Sequence, residues 1–287
     1  SPDRMVIGSE GILGIITEAW MRIQKRPSFR ATAGILFPSW EAGYEAVRNI
    51  VQAKLWPANL RILDPAEAQR AAGLDGTSSL VIVAFESAEL SQRHNIAQAV
   101  EIARDAGGVI ADDEIQIDDG TGNPTGRAGA VGAWRDAFIG VGNGVETSLG
   151  VVADTFETAI TWDQWPEFDH AVRAAVGDAL KATFGEHHSL SCRFTHVYPD
   201  GPAPYYSWSG MGSQGAEIKQ WQTIKDAANE ALVAAGGTST HHHAVGRMHR
   251  PNAYDVQRPE LFAQSLRAVK KHLDPNGILN PGVLIDP

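Results

Sequence analysis

Cysteine and long apolar runs are scarce in this sequence of 287 residues. Cys192 is the single cysteine, which excludes an internal disulfide and fits a reducing compartment, so we expect a cytoplasmic protein. No apolar run approaches the roughly 18 uninterrupted residues that a membrane-spanning helix needs. The first residues show no secretory pattern either.

Positive charge is also in short supply. Lys and Arg number 24 against 34 Asp and Glu, a formal net charge of −10, and no Lys/Arg run exceeds two residues. Such a chain repels phosphate backbones and anionic membrane surfaces, so nucleic acid is excluded as the main ligand. The 43% hydrophobic and 20% charged residues are typical of a compact protein with one large or two small domains.

The beginning of the chain resembles the interior of a domain. Residues 6–16 are mostly apolar, with glycines at 8, 11 and 14, and we therefore expect the chain to be a piece of a longer protein. Glycines leave backbone N–H groups open, which suits a pyrophosphate. The dinucleotide fingerprint Gly-x-Gly-x-x-Gly and a P-loop lysine are absent. Neither Ser9 nor Cys192 sits in a nucleophile elbow, which argues against a hydrolase.

Apolar periodicity divides the rest of the chain into two similar series of elements. The first predicts strands over 31–37, 60–63, 80–85 and 109–117, with helices after Ser39 and over 88–106. The second predicts strands over 150–161, 190–198, 204–208 and 238–243, with helices over 165–184 and 214–235. The repeated order strand, helix, strand, strand, helix, strand predicts an α+β fold. We expect an antiparallel sheet built from two ferredoxin-like split βαβ repeats, with helices on one face.

A histidine cluster is the densest concentration of chemical groups. His241, His242 and His243 lie in the predicted closing strand, and Arg247 and His249 follow. On a strand, His241 and His243 would share one face and His242 the other. Three histidines can move protons near neutral pH, ligate a metal or bind an anion. The metal interpretation lacks a His-Glu-x-x-His motif, and a histidine-rich surface loop is the remaining alternative.

A second cluster combines Cys192 and Arg193 with aromatic residues at 194, 198, 205, 206 and 208. Aromatic residues at strand ends usually pack in the core or at its rim. A tyrosine whose hydroxyl enters a cleft beside a histidine or arginine can instead act as an acid or base. The sequence leaves both interpretations open.

Several motifs resemble one flavoenzyme family. Residues 6–19 look like the closing signature of the FAD-binding domain in the vanillyl-alcohol oxidase superfamily, and residues 273–282 are similar to the end of its FAD-linked oxidase C-terminal domain. Between them, the segments 156–158, 162–163, 192–193, 198–205 and 241–243 resemble the alkyldihydroxyacetonephosphate synthase branch. The resemblance covers essentially the whole chain, but only the C-terminal half of the family's usual length.

The resemblance implies roles for individual residues. It implies Tyr205 and the histidines 241–243 as catalytic residues, and Arg61, Arg193 and Arg247 as complements to an anionic substrate head. It implies no metal. The implied cofactor is FAD, held in the full-length protein and not expected to be retained by this chain. The implied cofactor contacts are Ser9, Glu10, Gly11, Ile12, Leu13, Gly14, Ile15 and Asn280, with Ile12 standing where the family usually has threonine.

One family arginine has no direct counterpart. The synthases carry it in a Tyr-x-Arg-Asp stretch, where it holds the carboxylate of the fatty acid. An ungapped comparison places Asn143 near that position, and Arg135 is the nearest arginine. Oxidase, dehydrogenase and synthase chemistry therefore all stay open.

The domain division and the function follow from the same resemblance. We expect residues 1–27 to end an FAD-binding domain, 28–258 to form the cap or substrate domain, and 259–287 to return to the flavin domain. The expected function is the substrate-binding part of an FAD-dependent oxidoreductase that acts on a small-molecule or lipid-like substrate. The alternatives are an isolated cap that is inactive without its flavin domain, and a metal-dependent enzyme built on the histidine cluster. A homodimer is left open.

Overall fold

The computed structural model describes residues 1–139 and 148–286. Asn143 therefore lies outside the described residues. In the described part of the chain, no helix combines the length and the apolar character needed to cross a bilayer.

Seven strands form one antiparallel sheet. They are β1 Phe29–Phe37, β2 Asn59–Leu63, β3 Ser79–Ser87, β4 Gln116–Asp119, β5 Val151–Glu157, β6 His188–Val197 and β7 Pro202–Met211. Their order across the sheet is β4-β1-β3-β2-β6-β7-β5. The two halves meet where β2 pairs with β6, at Ile62 opposite Phe194 and Leu63 opposite Arg193.

The helices connect these strands and complete the two ends of the chain. They are α1 Pro2–Val6, α2 Trp40–Gln52, α3 Pro65–Ala72, α4 Arg93–Asp105, α5 Gly129–Ile139, α6 Trp165–Phe184, α7 Glu217–Ala234, α8 Asp255–Gln257 and α9 Glu260–Leu273. Helix α3 shows how local sequence sets an element. The Asp64 carboxylate accepts the N–H of Glu67 at 2.8 Å, Pro65 occupies the first turn, and Gly73 ends the helix in the left-handed region.

The predicted fold class is confirmed. The strands of the first repeat have the order β4-β1-β3-β2. In the second repeat, β5, β7 and β6 occupy the positions that correspond to β1, β3 and β2. Helices α2, α4, α6 and α7 bury one face of the sheet in a continuous apolar core. Helices α3 and α5 also cover the opposite face of the first repeat, against Leu80 and Ile82. Helices α3 and α5 do not cover the corresponding face of the second repeat, formed by β5, β6 and β7. A cleft lies on that face.

Two predicted strands differ from the structure. The expected strand over 109–117 is reduced to β4 and a single bridge between Leu36 and Val109. The expected strand over 238–243 is absent, and these residues form an irregular loop. The reason for the second difference is a competing acceptor. The N–H groups of residues 241–243 all point to the carboxylate of Glu157 rather than to a neighbouring strand.

The two ends of the chain share a small core of their own. Ile12 and Leu13 pack with Val245 and with the apolar tail at 283–285. The buried ammonium of Lys270 donates to the carbonyl oxygens of Ile12 at 2.9 Å and of Leu279 at 2.6 Å. These contacts hold the N-terminal segment beside the loop that carries the histidines.

Candidate active site

A cleft of about 800 Å³ lies on the open face of β5, β6 and β7. Side chains alternate across a strand, so every second residue of these strands faces the cleft while the residues between them enter the core. The wall combines polar and apolar surface, and Trp134 and Ala137 of α5 close one side. The alternating strand residues that line it are Val151, Ala153, Thr155, Ser189, Ser191, Arg193, Tyr205, Ser207 and Ser209, and Asp154 and Trp208 also contribute to the lining.

Tyr205 occupies one end of this wall. Its hydroxyl donates to Oγ1 of Thr155 at 3.0 Å. The guanidinium carbon of Arg193, the residue opposite Tyr205 in the β6–β7 pair, lies 4.1 Å from the centre of the phenol ring. A cation over an aromatic face is attracted by the ring quadrupole. Arg193 therefore fixes the ring and brings a positive charge to the hydroxyl's surroundings.

Glu67 of α3 fixes the position of Arg193 through an ion pair. It is 1% exposed and accepts from Arg193 Nη1 at 2.6 Å, from Arg70 Nη2 at 2.7 Å and from the Ser191 hydroxyl at 2.8 Å. Burial raises the pKa of Glu67, but hydrogen bonding by Arg70 and the charges of Arg70 and Arg193 outweigh it, and the pKa lies below its ordinary value. The carboxylate is therefore ionised and anchors the cation.

Arg61 brings a second positive charge to the same region. Its guanidinium carbon lies 5.0 Å from the centre of the Trp134 ring, and its Nε donates to Asn59 at 3.0 Å. Burial first and the charge of Arg193 second lower the pKa of Arg61. Two neighbouring guanidinium groups that repel each other in this way provide complementary charge for an anionic substrate.

The three consecutive histidines surround Tyr205 and a fourth histidine. The ring centres of His242 and His243 lie 6.2 Å and 5.3 Å from that of Tyr205. The ring of His196 lies 5.4 Å from His241 and 5.0 Å from His242. Burial lowers the pKa values of His196, His241 and His243, which favours their neutral form. Neutral imidazoles can accept protons or ligate a metal.

Three of these histidines form a group that could hold a cation, the one such group found among the described residues. One ring nitrogen each from His196, His241 and His242 lie within 4.8 Å of one another. Imidazole nitrogen is a zinc ligand at about 2.0–2.1 Å, so these three rings could hold such an ion after small rotations. They sit directly beside Tyr205.

Residues 9–15, which are predicted to contact the cofactor, include both buried side chains and exposed backbone. Ser9, Ile12 and Leu13 are buried, whereas Ile15 is 80% exposed. A Cβ built at Gly14 would meet nothing within 4 Å. The open backbone at this glycine fits the edge of FAD, and the side chains of Ile12 and Leu13 instead support it from the small core.

Glu10 and Asn280 connect that segment to the histidine loop. The Glu10 carboxylate accepts the N–H groups of Val245 at 2.7 Å and Gly246 at 2.8 Å, directly after the histidines. The Asn280 amide donates to the Glu10 carbonyl at 2.5 Å, and its Nδ2 would lie 3.7 Å from a Cβ at Gly11. The side chains of Glu10 and Asn280, both predicted to contact the cofactor, therefore bind protein backbone and fix residues 9–15 beside the histidine loop.

Arg247 and His249 do not line the cleft. The Arg247 guanidinium donates to the carbonyl of Pro281 at 2.6 Å, which places it against the C-terminal tail. His249 is 5% exposed, and its Nδ1 lies 2.8 Å from Oδ1 of Asn229. Burial, followed by the charge of Lys225, lowers the pKa of His249 to about 4. These two residues join the site to the tail and to α7.

Comparison with known proteins shows the family of the chain. The model of the family described as FAD linked oxidases, C-terminal domain, matches residues 26–284. The chain belongs to this family. The family implies FAD as the cofactor of the full-length enzymes.

Individual relatives place this FAD-linked oxidase C-terminal domain near one branch. Alkyldihydroxyacetonephosphate synthase of Caenorhabditis elegans is 24% identical over 99% of the chain and 50% of that protein. The synthase of Trypanosoma brucei brucei is 24% identical over 98% of the chain and 48% of that protein. Glycolate oxidase subunit GlcD of Bacillus subtilis (strain 168) is 23% identical over 97% of the chain and 56% of that protein. The chain thus spans about half the length of these relatives.

A solved structure of an alkyldihydroxyacetonephosphate synthase has the same fold. It superposes with a TM-score of 0.70 at 18% identity, covering 98% of this chain and 49% of that chain.

Reasoning from sequence missed four residues of the site in this FAD-linked oxidase C-terminal domain. Glu67 sits on a short helix and gave no signal at all. Thr155 and Glu157 adjoin or belong to the family-like segment 156–158, and His196 lies between the segments 192–193 and 198–205, so those segments are the signal that could have identified them. Their partners come from other strands, which a linear pattern does not show.

Proposed function

We propose that this chain is the substrate-binding part of an FAD-dependent oxidoreductase. The supporting observation is that Tyr205 and Arg193 line one cleft, with the rings of His242 and His243 beside Tyr205 and the guanidinium of Arg61 over the Trp134 ring that closes the cleft. The substrate we propose is an anionic small or lipid-like molecule, because Arg61 and Arg193 supply positive charge to a chain whose net charge is −10. The proposed division is 1–27 with the flavin domain, 28–258 as the cap, and 259–287 returning to the flavin domain.

Proton transfer and orientation are the tasks of this chain's own residues. FAD, when bound, accepts the electron pair from the substrate carbon. Gly11, Gly14 and Ile15 would hold its edge through their backbone. Arg61 and Arg193 orient the anionic end of the substrate, and either Tyr205 or a histidine of the cluster takes the hydroxyl proton.

Oxidoreductase chemistry is favoured over synthase chemistry by the position of Arg135. This residue lines a second cavity of about 450 Å³, and its guanidinium pairs with Asp136 at 2.8 Å. It does not line the cleft beside Tyr205. Within the described residues, Arg135 therefore does not take the place of the arginine that holds the carboxylate in the synthases of the family resemblance.

Tyr205→Phe tests the proposal in the flavin-loaded full-length protein. Removing the hydroxyl should slow flavin reduction by roughly 10²–10⁴-fold, the usual contribution of a positioned acid or base. Stopped-flow absorbance at the flavin bands measures it. Tyr44→Phe is the matched control, because Tyr44 lies in the core between Trp40 and Trp165. Unchanged flavin reduction in Tyr205→Phe would remove this residue from the mechanism.

The two alternative functions are tested on the purified chain alone. We expect an absorbance scan to show no flavin bands above the protein peak, since the chain spans about half the length of the curated relatives it matches. Elemental analysis addresses the second candidate, a metal-dependent enzyme, which the approach of His196, His241 and His242 favours. We expect no stoichiometric zinc or iron. One metal ion per chain, lost from His242→Ala, would instead support the metal-dependent reaction.

A further inference from the structure

A second cavity lies on the sheet face that carries the cleft, but over the first repeat. Its volume is about 450 Å³, which lies within the usual range for small-molecule sites, roughly 300–1,000 Å³. Side chains alternate across a strand, and every second residue along three neighbouring strands faces this cavity. These floor residues are Arg30, Thr32, Asn59, Ile82, Ala84 and Glu86.

The loop over residues 122–127 forms one wall of the second cavity, and polar contacts fix it to the sheet. The side-chain oxygen of Gln116 accepts the N–H of Gly126 at 2.7 Å. The hydroxyl of Thr32 donates to that of Thr125 at 3.1 Å. The protein itself therefore holds this wall in place, so a ligand does not have to order it on binding.

Trp134 of α5 separates the second cavity from the cleft. Among the described residues, it is the one that lines both of them. Tyr205 and Arg193 line only the cleft. The second cavity is therefore separate from the candidate active site, with the Trp134 ring between them.

Positive charge is concentrated around the second cavity. Four of its lining residues are arginines and one is an acid, an excess of three positive charges in a chain whose net charge is −10. A concave surface lined by charge of one sign focuses the electric field and attracts ions of the opposite sign. The arginines are Arg26, Arg30, Arg127 and Arg135, and the acid is Glu86.

Carboxylates of the protein pair with two of these arginines. Glu86 pairs with Arg30 at 3.3 Å, and Asp136 pairs with Arg135 at 2.8 Å. The two acidic side chains are 43% and 73% exposed. Exposed pairs of this kind are weak, so both guanidinium groups can also bind another anion.

The other two arginines, Arg26 and Arg127, form no ion pair within residues 1–139 and 148–286. The carboxylate of Asp118, which stands opposite Arg30 in the β1–β4 pair, accepts the N–H groups of residues 121 and 122 instead. Like charges that line one cavity repel each other, and a bound anion offsets that repulsion. The planar guanidinium group matches phosphate and carboxylate groups, to which it can donate two parallel hydrogen bonds.

We propose that the second cavity is a binding site for a small dianion, either a phosphate monoester or a dicarboxylate. The excess of three positive charges favours a doubly charged ligand over a monocarboxylate, and the cavity volume limits the ligand to a small molecule. This site requires neither FAD nor the cleft beside Tyr205. Its failure would therefore leave the proposed oxidoreductase function unaffected.

Isothermal titration calorimetry of the 287-residue chain tests the site. The probes are methyl phosphate, succinate and acetate at about pH 8, where a phosphate monoester is dianionic because its second pKa is about 6. We expect one dianion to bind per chain, at least about tenfold more tightly than acetate, since it engages an additional charged hydrogen bond. Tighter binding of methyl phosphate than of succinate would assign a phosphate ester, and the reverse order would assign a dicarboxylate. Acetate that binds as tightly as both dianions would overturn the proposal.

Arg127→Gln should weaken the binding of the dianion by roughly 10–100-fold, because it removes a charged hydrogen-bond donor. Circular dichroism checks that the variant is folded. Arg48→Gln is the matched control, since it removes the same charge from α2 on the other face of the sheet, where Arg48 pairs with the exposed Glu45 at 3.8 Å. Equal losses in the two variants would show that only the net charge matters, and the site would be refuted.

Glu86→Gln should act in the opposite direction. It removes the carboxylate that lines the cavity and releases Arg30, so the dianion should bind several-fold more tightly. A gain in affinity cannot arise from a loss of folding. Unchanged or weaker binding in Glu86→Gln, or the absence of saturable dianion binding in the wild-type chain, would contradict the proposal.

Discussion

Glu67→Ala should lower the free energy of unfolding by about 3–5 kcal/mol, because it leaves a buried cation without its partner. The Arg193 side chain is 11% exposed and bonds Glu67 at 2.6 Å. Without the carboxylate, that guanidinium loses its 2.6 Å ion pair in a low-dielectric site. Ser191 loses its acceptor as well. Urea unfolding followed by circular dichroism measures the change.

Substrate binding should weaken in the same variant. Arg193 no longer has a fixed position over the Tyr205 ring, so we expect a higher KM for an anionic substrate in the full-length protein. Glu86→Ala is the matched control, since Glu86 is 43% exposed and pairs with Arg30 at 3.3 Å. An exposed pair of this kind contributes about 0–1 kcal/mol. A loss from Glu67→Ala no greater than that from Glu86→Ala would contradict the anchoring role.

Phe194→Ala should also destabilise the fold by about 3–5 kcal/mol, the usual cost of emptying a buried phenylalanine site. The ring of Phe194 is fully buried on β6. It makes edge contacts with Trp40, Trp162 and Trp165, at 5.3, 6.0 and 4.8 Å between ring centres. Trp40 belongs to the first repeat and the others to the second, so the cavity would open at the junction of the two.

Loss of the Phe194 ring contacts should therefore destabilise both repeats of the sheet together. Hydrogen exchange should accelerate in β2 as well as in β6, because these strands pair at Ile62 and Phe194. Phe262→Ala provides the control, since Phe262 is 53% exposed on α9. Faster exchange confined to β6, with β2 unchanged, would show that the two repeats are stabilised independently.

The positions of the elements were largely predictable because burial imposes a period on the sequence. The helix predicted over 165–184 agrees with α6, and the strand predicted over 31–37 lies within β1. Local signals supported these assignments, as with Ser39, whose side chain accepts the N–H of Ala42 at the start of α2. The strand predicted over 238–243 was wrong because the hydrogen-bond partner of its last three N–H groups is the side chain of Glu157, 84 to 86 residues away in sequence.

The residues of the candidate site could largely be predicted from the sequence, but their positions relative to one another could not. Tyr205, Arg61, Arg193 and the histidine triplet came from a family resemblance. In the structure Tyr205 and Arg193 line the cleft, His242 and His243 lie beside Tyr205, and Arg61 lies over Trp134. Arg247 came from the same reasoning and lies against the tail instead. Their chemical types are visible in the sequence, whereas distances between them depend on strand register.

Sequence alone determined the charge balance, the repeated order of elements and the family, because each of these is carried by composition, local period or short motifs. Tertiary structure alone decided which carboxylates serve the site. Glu67 and Glu157 are ordinary acidic residues in the printed sequence. Each becomes a buried, ionised anchor only because distant cations or backbone N–H groups converge on it, and that convergence is a property of the packed fold.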